Sequence, residues 1–339
     1  MQKFLKRISL AIMAPAVALA APASAQQTQL EASFDNAFGT EVRAPQSFKA
    51  IYDSDFEQRI ARVADGSKGR IGVAAIDLST GEEITILGDQ LFPMASTSKI
   101  AVAATYLEMV EQGKYSLTSE FPLLIPIRSA KFSSPAAPVR KGQYMQAIDL
   151  IEIMITRSSN PATDALLAAV GGPDKVNDWM KRQGIEDFSI DRDIATLVRD
   201  DGEFDPVSHI DKRDAATPKA MLELLTGLYQ GKFLEPDSRR VILDAMSRTR
   251  TGKRRIKGQM PSYVQVSHKT GSLNNTSSDV GFIQSPDGRT IAVAIYVTGQ
   301  GTRRNREARI AEIARALYDG FDSKARSGPV WTNATRTGG

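Results

Sequence analysis

The sequence contains no cysteine, only two histidines and only two tryptophans among its 339 residues. Without a thiol, the protein cannot use a cysteine nucleophile, form a disulfide or hold zinc through cysteine. His209 and His268 are too few for a three-histidine metal site. A Ser-His-Asp triad would need one of them, yet the chain has no GxSxG motif to present its serine. We therefore expect no metal and no other cofactor, and a stability that comes from the core.

A large excess of one charge is also missing, because 43 Lys and Arg residues oppose 39 Asp and Glu residues. Three of the cations lie near the start of the chain, before an apolar run and a small-residue motif that ends at Ala25. This order is typical of a secretory signal peptide over residues 1–25, with the mature chain beginning near Gln26. The remaining chain is almost neutral, so its charge predicts binding neither to nucleic acid nor to an anionic membrane.

Long apolar runs are absent after this leader, since no later stretch approaches the roughly 18 apolar residues that cross a bilayer. Without cysteine the leader cannot be of the lipoprotein type. We expect a periplasmic or secreted monomer that is not held at a membrane once the leader is removed. Its expected partner is a small molecule or a peptide.

The hydrophobic pattern changes its period twice along the chain. Apolar residues alternate on both sides of Ser79-Thr80-Gly81, which predicts an antiparallel hairpin. A helix is predicted over 96–112, and further helices up to residue 247. From residue 262 the period is two again, which predicts three strands before a closing helix over 305–320. The proline-rich stretch 118–145 is predicted to be irregular.

This order of elements predicts an α/β (α+β) fold made from both ends of the chain, with a helical lobe inserted between them. Residues 26–50 are predicted to be a linker and residues 323–339 a disordered tail. The catalytic domain, 51–322, would comprise an α/β lobe (51–92 and 248–322) and a helical lobe (93–247).

Three short motifs lie in an order that suits a serine nucleophile activated by lysine. Ser96 and Lys99 are spaced i, i+3, so a helix would place the hydroxyl and the amine on one face. The second motif, Ser158-Ser159-Asn160, ends a strongly apolar segment, and the third, Lys269-Thr270-Gly271, lies on a predicted strand. Ser-x-x-Lys is expected by chance about once in a chain of this length, Lys-Thr-Gly in fewer than about one such chain in ten, and the ordered set of three motifs is much rarer.

Together these motifs resemble the signature of class A serine β-lactamases and penicillin-binding proteins. The class A resemblance extends through GRIGVAAIDLSTGEEITILGDQLFPMASTSK, VGGPDKVNDWM, AATPKAM and TGKRRIKGQMP, and covers roughly residues 50 to 320. It implies a helical lobe packed on a five-stranded antiparallel sheet with flanking helices. The active site would lie at their junction.

The resemblance and general chemistry together suggest a role for each motif residue. Ser96 would be the nucleophile, and a neutral Lys99 would take its proton. Ser158 would pass a proton to the leaving amine while Lys269 holds that hydroxyl and attracts an anionic substrate. Asn160 would bind the substrate amide and orient Lys99.

The strand motif and a nearby arginine would bind the rest of the substrate. The backbone N–H groups of Ser96 and Ser272 would form an oxyanion hole. Thr270 and Ser272, which flank Gly271, would offer hydroxyls to a substrate carboxylate. Arg255 stands where some family members carry a carboxylate-binding arginine, although a solvated surface arginine is the alternative.

The sequence departs from the class A pattern on the loop after Asp191-Arg192. Ile194 stands in the place of the glutamate that activates the deacylating water. The missing base predicts a persistent acyl-enzyme, since general-base catalysis contributes about 10²- to 10⁴-fold. A loop acid could substitute, with Glu203 as the first candidate; the alternative is that these acids are simply solvated. Ser159 also replaces the usual aspartate, a form common in penicillin-binding proteins.

Three functions are compatible with these residues. The leading interpretation is an exported serine hydrolase that is acylated by β-lactams and hydrolyses them. The second is a D-alanyl-D-alanine peptidase or penicillin-binding protein that acts on peptidoglycan stem peptides. The third is a sensor that captures a β-lactam covalently without turnover.

Overall fold

The computed structural model describes residues 40–42 and 54–327, with side chains described over 54–323. The predicted signal peptide and its cleavage site lie outside the described residues, as do most of the predicted linker and residues 328–339. The domain and lobe boundaries drawn from the sequence stay predictions.

The described strands are given by their residue ranges in chain order. They are β1 (Thr40–Val42), β2 (Ile71–Asp77), β3 (Glu83–Ile86), β4 (Phe92–Pro93), β5 (Glu120–Pro126), β6 (Val139–Gln146), β7 (His209–Asp211), β8 (Ala215–Ala216), β9 (Gln265–Leu273), β10 (Thr276–Gln284) and β11 (Thr290–Thr298).

Most of the described helices lie between β4 and β9 in the chain. They are α1 (Asp55–Val63), α2 (Lys99–Glu111), α3 (Ala147–Thr156), α4 (Asn160–Val170), α5 (Pro173–Arg182), α6 (Ile194–Arg199), α7 (Pro218–Gln230), α8 (Pro236–Ser247) and α9 (Arg303–Ser327), with 3-10 turns at Ala95–Ser98 and Ile256–Gln259. Within the described part of the chain, no helix is both long and apolar enough to span a membrane.

Five strands form the main sheet in the order β3-β2-β11-β10-β9, with every neighbouring pair antiparallel. The sheet thus joins strands from both ends of the chain, and the sequence-based fold class is confirmed. β9 forms one edge, and its Lys269 lies opposite Val280 of β10. An edge strand leaves backbone N–H and C=O groups available for a ligand.

Both faces of the sheet are covered, which explains why every residue of β11 is buried. On one face α1 and α9 pack through contacts such as Phe56 edge-on to Phe321, with ring centroids 5.1 Å apart. On the other face Tyr296 stacks on Phe92 at 5.8 Å, within the core shared with the helical segments. This second core positions the helices that carry the candidate site.

The stretch 118–145 is more regular than its composition suggested. β5 and β6 pair from Glu120↔Gln146 to Pro126↔Val139, with a register shift between Pro122 and Leu124. Proline obscures the strand pattern because it lacks a backbone N–H and is tolerated at strand edges and bulges. The prediction of an irregular segment was therefore wrong for these two strands.

The two ends of the described chain also differ from expectation. A short strand within the predicted linker, β1, pairs with β7, with Glu41 opposite Ile210. The closing helix α9 runs to Ser327, so residues 323–327 are helical where a disordered tail was predicted. The Arg315–Asp319 pair, spaced i, i+4 at 2.9 Å, adds to the helical tendency of this region.

Candidate active site

Ser96 lies in the 3-10 turn Ala95–Ser98, immediately before α2. Ala95 has φ +50, a left-handed conformation that is costly for a residue with a Cβ and is often found at functional sites. The Ser98 hydroxyl donates to Ala95 O at 2.9 Å and fixes the turn. Ser96 is half-buried while the rest of the turn is buried, so this turn exposes one side chain at the start of a helix.

Lys99 is completely buried, and its Nζ has only oxygen acceptors around it. It donates to Asn160 Oδ1 at 2.7 Å, to Ser158 O at 2.9 Å and to Ser158 Oγ at 3.3 Å. Burial lowers the pKa of Lys99 to about 7, although the negative charge of Asp164 opposes that shift. A substantial fraction of Lys99 is therefore neutral at neutral pH and able to accept a proton.

Ser158 connects the two lysines. It lies between α3 and α4 with φ +58, a second left-handed residue in the site. Its Oγ accepts from Lys269 Nζ at 2.9 Å as well as from Lys99. Lys269 is fully buried and also donates to Thr270 O at 2.8 Å; burial, then the charge of Lys99, lowers its pKa. One hydroxyl thus lies between two desolvated amines.

Gly271 allows β9 to lie close to the 3-10 turn Ala95–Ser98 that carries Ser96. A Cβ at this position would lie 2.3 Å from Ser278 Oγ, 2.6 Å from Met94 O and 3.2 Å from Ala95 Cβ. Separations that short cannot be accommodated against backbone, so only glycine permits this approach. The predicted oxyanion donors at Ser96 and Ser272 belong to these two segments.

Arg255 is not a solvated surface arginine, because it is only 1% exposed. Its guanidinium donates to Ser272 Oγ at 2.6 Å and to both Gly271 O and Ser278 O at 2.7 Å. Burial lowers its pKa, while the charges of Asp279 and Glu307 oppose that effect. Arg255 therefore holds the hydroxyl of Ser272 in place by donating a hydrogen bond to it. The other hydroxyl of the strand motif, that of Thr270, lies 2.7 Å from the hydroxyl of Thr251.

Glu203 is not brought to the lysines. Its carboxylate accepts from Arg213 at 2.7 Å. The other acids of the loop also have protein partners, in each case a backbone N–H, a side-chain amide or a cation: Asp193 with Thr196 N, Asp200 with Arg199 and Phe132 N, Asp201 with Asn274 N, and Asp205 with Asn275. A role for Glu203 in water activation would require it to leave its ion pair.

Asp164 is the acid that the sequence reasoning missed. It is 3% exposed, and its carboxylate accepts from Ile194 N at 2.7 Å and from Ala195 N at 2.9 Å. Burial raises its pKa to about 7, which the backbone donors and Lys99 partly oppose. It lies one helical turn after Asn160 on α4, so the i, i+4 spacing within an apolar helix was the available signal.

The two histidines have partners other than the serines and lysines of this constellation. His268 is buried, with Nδ1 2.8 Å from the Asp279 carboxylate, and His209 stacks on Phe204 with ring centroids 5.7 Å apart. Over the described ranges no three His, Asp or Glu side chains group in a way that could hold a metal ion. The groups that the described residues bring together at the site are the hydroxyls, the amines and the Asp164 carboxyl group described above.

Comparison with known proteins agrees with this geometry. A model of the β-lactamase enzyme family matches residues 55–321. An ancestral class A β-lactamase of known structure is 33% identical, with a TM-score of 0.67 over 79% of this chain and all of that one. The chain belongs to the class A serine β-lactamase family. The resemblance inferred from the motifs is thereby confirmed.

Two further relatives show how far this family member has diverged. The extended-spectrum β-lactamase PER-1 of Pseudomonas aeruginosa is 28% identical over 283 residues, which cover 80% of this chain and 88% of PER-1. The structure of a β-lactamase from Chitinophaga pinensis is 26% identical, with a TM-score of 0.69 over 79% of this chain and all of that one. The similarity therefore extends over nearly the whole length of each relative.

Proposed function

We propose that the protein is an exported serine hydrolase that β-lactams acylate at Ser96 and that hydrolyses the resulting acyl-enzyme slowly. The single observation that carries this proposal is the position of Ser158 Oγ between Lys99 Nζ and Lys269 Nζ. A hydroxyl held in this way can pass a proton to a leaving nitrogen. Membership of the family supports the substrate class, and the leader sequence supports export to the periplasm or the medium.

Acylation uses the neutral form of Lys99. As Ser96 Oγ forms its bond to the lactam carbonyl carbon, its proton passes to Lys99 Nζ. The carbonyl oxygen takes the negative charge and binds the N–H groups of Ser96 and Ser272. The C–N bond then breaks, the nitrogen takes the proton of Ser158, and Lys99 returns a proton to Ser158. Lys269 and Arg255 provide positive charge on the side of the substrate carboxylate.

Deacylation lacks an evident base. Ile194 has an apolar side chain that is 4% exposed, and its backbone N–H is held by Asp164. Loss of a general base typically slows a step by about 10²- to 10⁴-fold. The acyl-enzyme should therefore outlast its formation, and Glu203 remains the candidate base if Arg213 releases it.

A second candidate function is a D-alanyl-D-alanine peptidase acting on peptidoglycan stem peptides. Two observations favour it, namely Ile194 on the loop and Ser159 in the middle motif. Ser159 caps α4, because its hydroxyl accepts a hydrogen bond from Ala162 N at 3.4 Å. A helix cap needs a hydrogen-bond acceptor but not a negative charge, so serine can replace aspartate here. Release of D-alanine from a stem pentapeptide would distinguish this function from β-lactam hydrolysis.

The proposal is tested by intact-mass measurements on the mature protein after mixing with benzylpenicillin, with penicilloate assayed in the same tube. We expect an adduct on Ser96 that forms quickly and decays slowly as penicilloate accumulates. The Ser96→Ala variant should give no adduct. An adduct that never decays would indicate the peptidase or the sensor function, and no adduct at all would overturn the proposal.

A further inference from the structure

The hairpin of β5 and β6 packs on the protein through one of its two faces. Phe121, Leu123 and Met145 contact the core of the helical segments, and the Phe121 ring lies edge-on to the ring of Tyr106 with centroids 5.8 Å apart. Side chains alternate between the two faces along a strand, and residues directly opposite each other share a face. The pairing of Phe121 with Met145 therefore defines the inner face, and the residues between these positions point outwards.

The opposite face of the hairpin is unusually apolar for a surface that solvent reaches. It consists of three cross-strand pairs, which we call the outer hairpin face: Pro122↔Tyr144, Leu124↔Lys141 and Pro126↔Val139. Only Lys141 among them is charged. Tyr144 is 55% exposed and Val139 is 36% exposed. The free face of an antiparallel sheet usually carries polar residues, so apolar side chains here indicate a binding surface.

Positive charge surrounds this face. The stretch 121–148 contains no aspartate or glutamate but four cationic residues, all of them exposed: Arg128, Lys131, Arg140 and Lys141. The ammonium of Lys131 contacts the carbonyl oxygen of Asp201, which leaves its charge unpaired by that contact. The nearly neutral total charge of the chain conceals this local excess, because the compensating acids lie in other segments.

These features fit one kind of partner better than the others. A second copy of the chain would bring like charges together, which is unfavourable. Addition of a strand from another protein is hindered on β5 by Pro122 and Pro126, which lack an N–H group, and on β6 by the charges of Arg140 and Lys141. A lipid surface with anionic headgroups offers both negative charge and an apolar layer beneath it.

We infer that the outer hairpin face binds reversibly to the surface of a membrane that contains anionic lipid. Tyr144 and Val139 enter the headgroup region, where aromatic side chains are favourable. Arg140 and Lys141 lie beside the lipid phosphates, and each cation near such a surface strengthens binding. The total charge predicts no such binding, because the attraction is local to this hairpin. The inference does not depend on the reaction at Ser96.

The test measures binding of the mature protein to sedimented vesicles. One set contains equal parts of phosphatidylglycerol and phosphatidylcholine, and the other contains phosphatidylcholine alone. We expect binding to the anionic vesicles only, and weaker binding when the ionic strength rises from about 0.05 to about 0.5 M. Arg140→Gln/Lys141→Gln should weaken binding by about tenfold or more. Tyr144→Ser should weaken it by about threefold or more, because it removes apolar contact area.

Arg59→Gln/Arg62→Gln is the matched control, because it removes two exposed arginines from the groove between α1 and α9, on the face of the main sheet away from the helical core. It should change binding by less than about twofold. The melting temperature of each variant shows whether it has folded, and substitutions on the exposed hairpin should leave it near that of the wild type.

Three outcomes would overturn the inference. The first is absence of wild-type binding to the anionic vesicles. The second is wild-type affinity in both hairpin variants, or an equal loss in the Arg59 and Arg62 control, since either result would place the binding outside this face. The third is a dimer in sedimentation velocity that Tyr144→Ser dissociates, which would make a second copy the occupant. None of these outcomes bears on acylation by benzylpenicillin, so the proposed function is tested separately.

Discussion

The junction that holds Lys99, Ser158 and Lys269 and the loop over residues 191–214 use charged side chains in opposite ways. At the junction, two buried lysine side chains have serine, asparagine and backbone oxygens as hydrogen-bond partners. On the loop, carboxylates are held by arginines or by backbone N–H groups, as in Arg192–Asp214 at 2.6 Å and Arg213–Glu203 at 2.7 Å.

This difference separates groups that can react from groups that hold the structure. A buried amine bonded to neutral oxygens loses its proton more readily, because these oxygens offset only part of the cost of desolvating its charge, and at Lys99 the charge of Asp164 opposes that effect only in part. A carboxylate that is paired with arginine is already engaged as an acceptor, although burial raises the pKa of Asp214 despite its pair with Arg192. The junction thus contains a complete set of groups for acylation, whereas the loop offers no free base for deacylation among its described side chains.

Removing the reactive amine should have the largest effect. Lys99→Met keeps an unbranched side chain that is one heavy atom shorter and cannot accept a proton, so acylation by benzylpenicillin should slow by about 10²- to 10⁴-fold in stopped-flow measurements. Lys219→Met, at a partly exposed lysine paired with Asp89, serves as the control and should acylate normally. Normal acylation by Lys99→Met would show that the proton leaves Ser96 by another route.

Adding a base to the loop should make deacylation faster and so bring its rate closer to that of acylation at the junction. Ile194→Glu places a carboxylate where the family pattern expects one, and we expect deacylation to accelerate by at least about tenfold, as measured by decay of the adduct. Ile194→Gln has the same shape without the basicity and should not accelerate it. Equal acceleration by both variants would mean that loosening the loop, rather than proton transfer, is responsible.

Crowding the approach of β9 should impair the junction without changing any ionisable group. In Gly271→Ala the new methyl group meets Met94 O and Ser278 Oγ, so we expect acylation to slow by about tenfold or more and the protein to melt at a lower temperature. Gly258→Ala is a milder control, since its Cβ would come no nearer than 3.4 Å to Ala311 Cβ. Wild-type acylation by Gly271→Ala would show that this close approach is not needed.

The hydrophobic periods and short motifs of the sequence predicted much of the fold, and they identified most of the residues that meet at the junction. The i, i+3 spacing of Ser96 and Lys99 and the period of two around Lys269 are properties of single elements, and they show in the sequence. The contacts of Asp164 with Ile194 and of Asp201 with Asn274 join distant segments, and no local period encodes them. β5 and β6 escaped notice for a different reason, since their prolines hide the strand pattern.

The most direct test of the central claim is the pH dependence of acylation, measured for the wild type and for Asp164→Asn. Because the pKa of Lys99 is lowered to about 7, the rate constant should fall below about pH 7 as Lys99 gains a proton. Asp164 raises that pKa through its charge, so Asp164→Asn should move the acidic limb to lower pH, by about one unit or less. A wild-type profile that is flat from pH 5 to 9 would contradict the role of Lys99 as the base. An acidic limb that moves to higher pH in Asp164→Asn would contradict it as well.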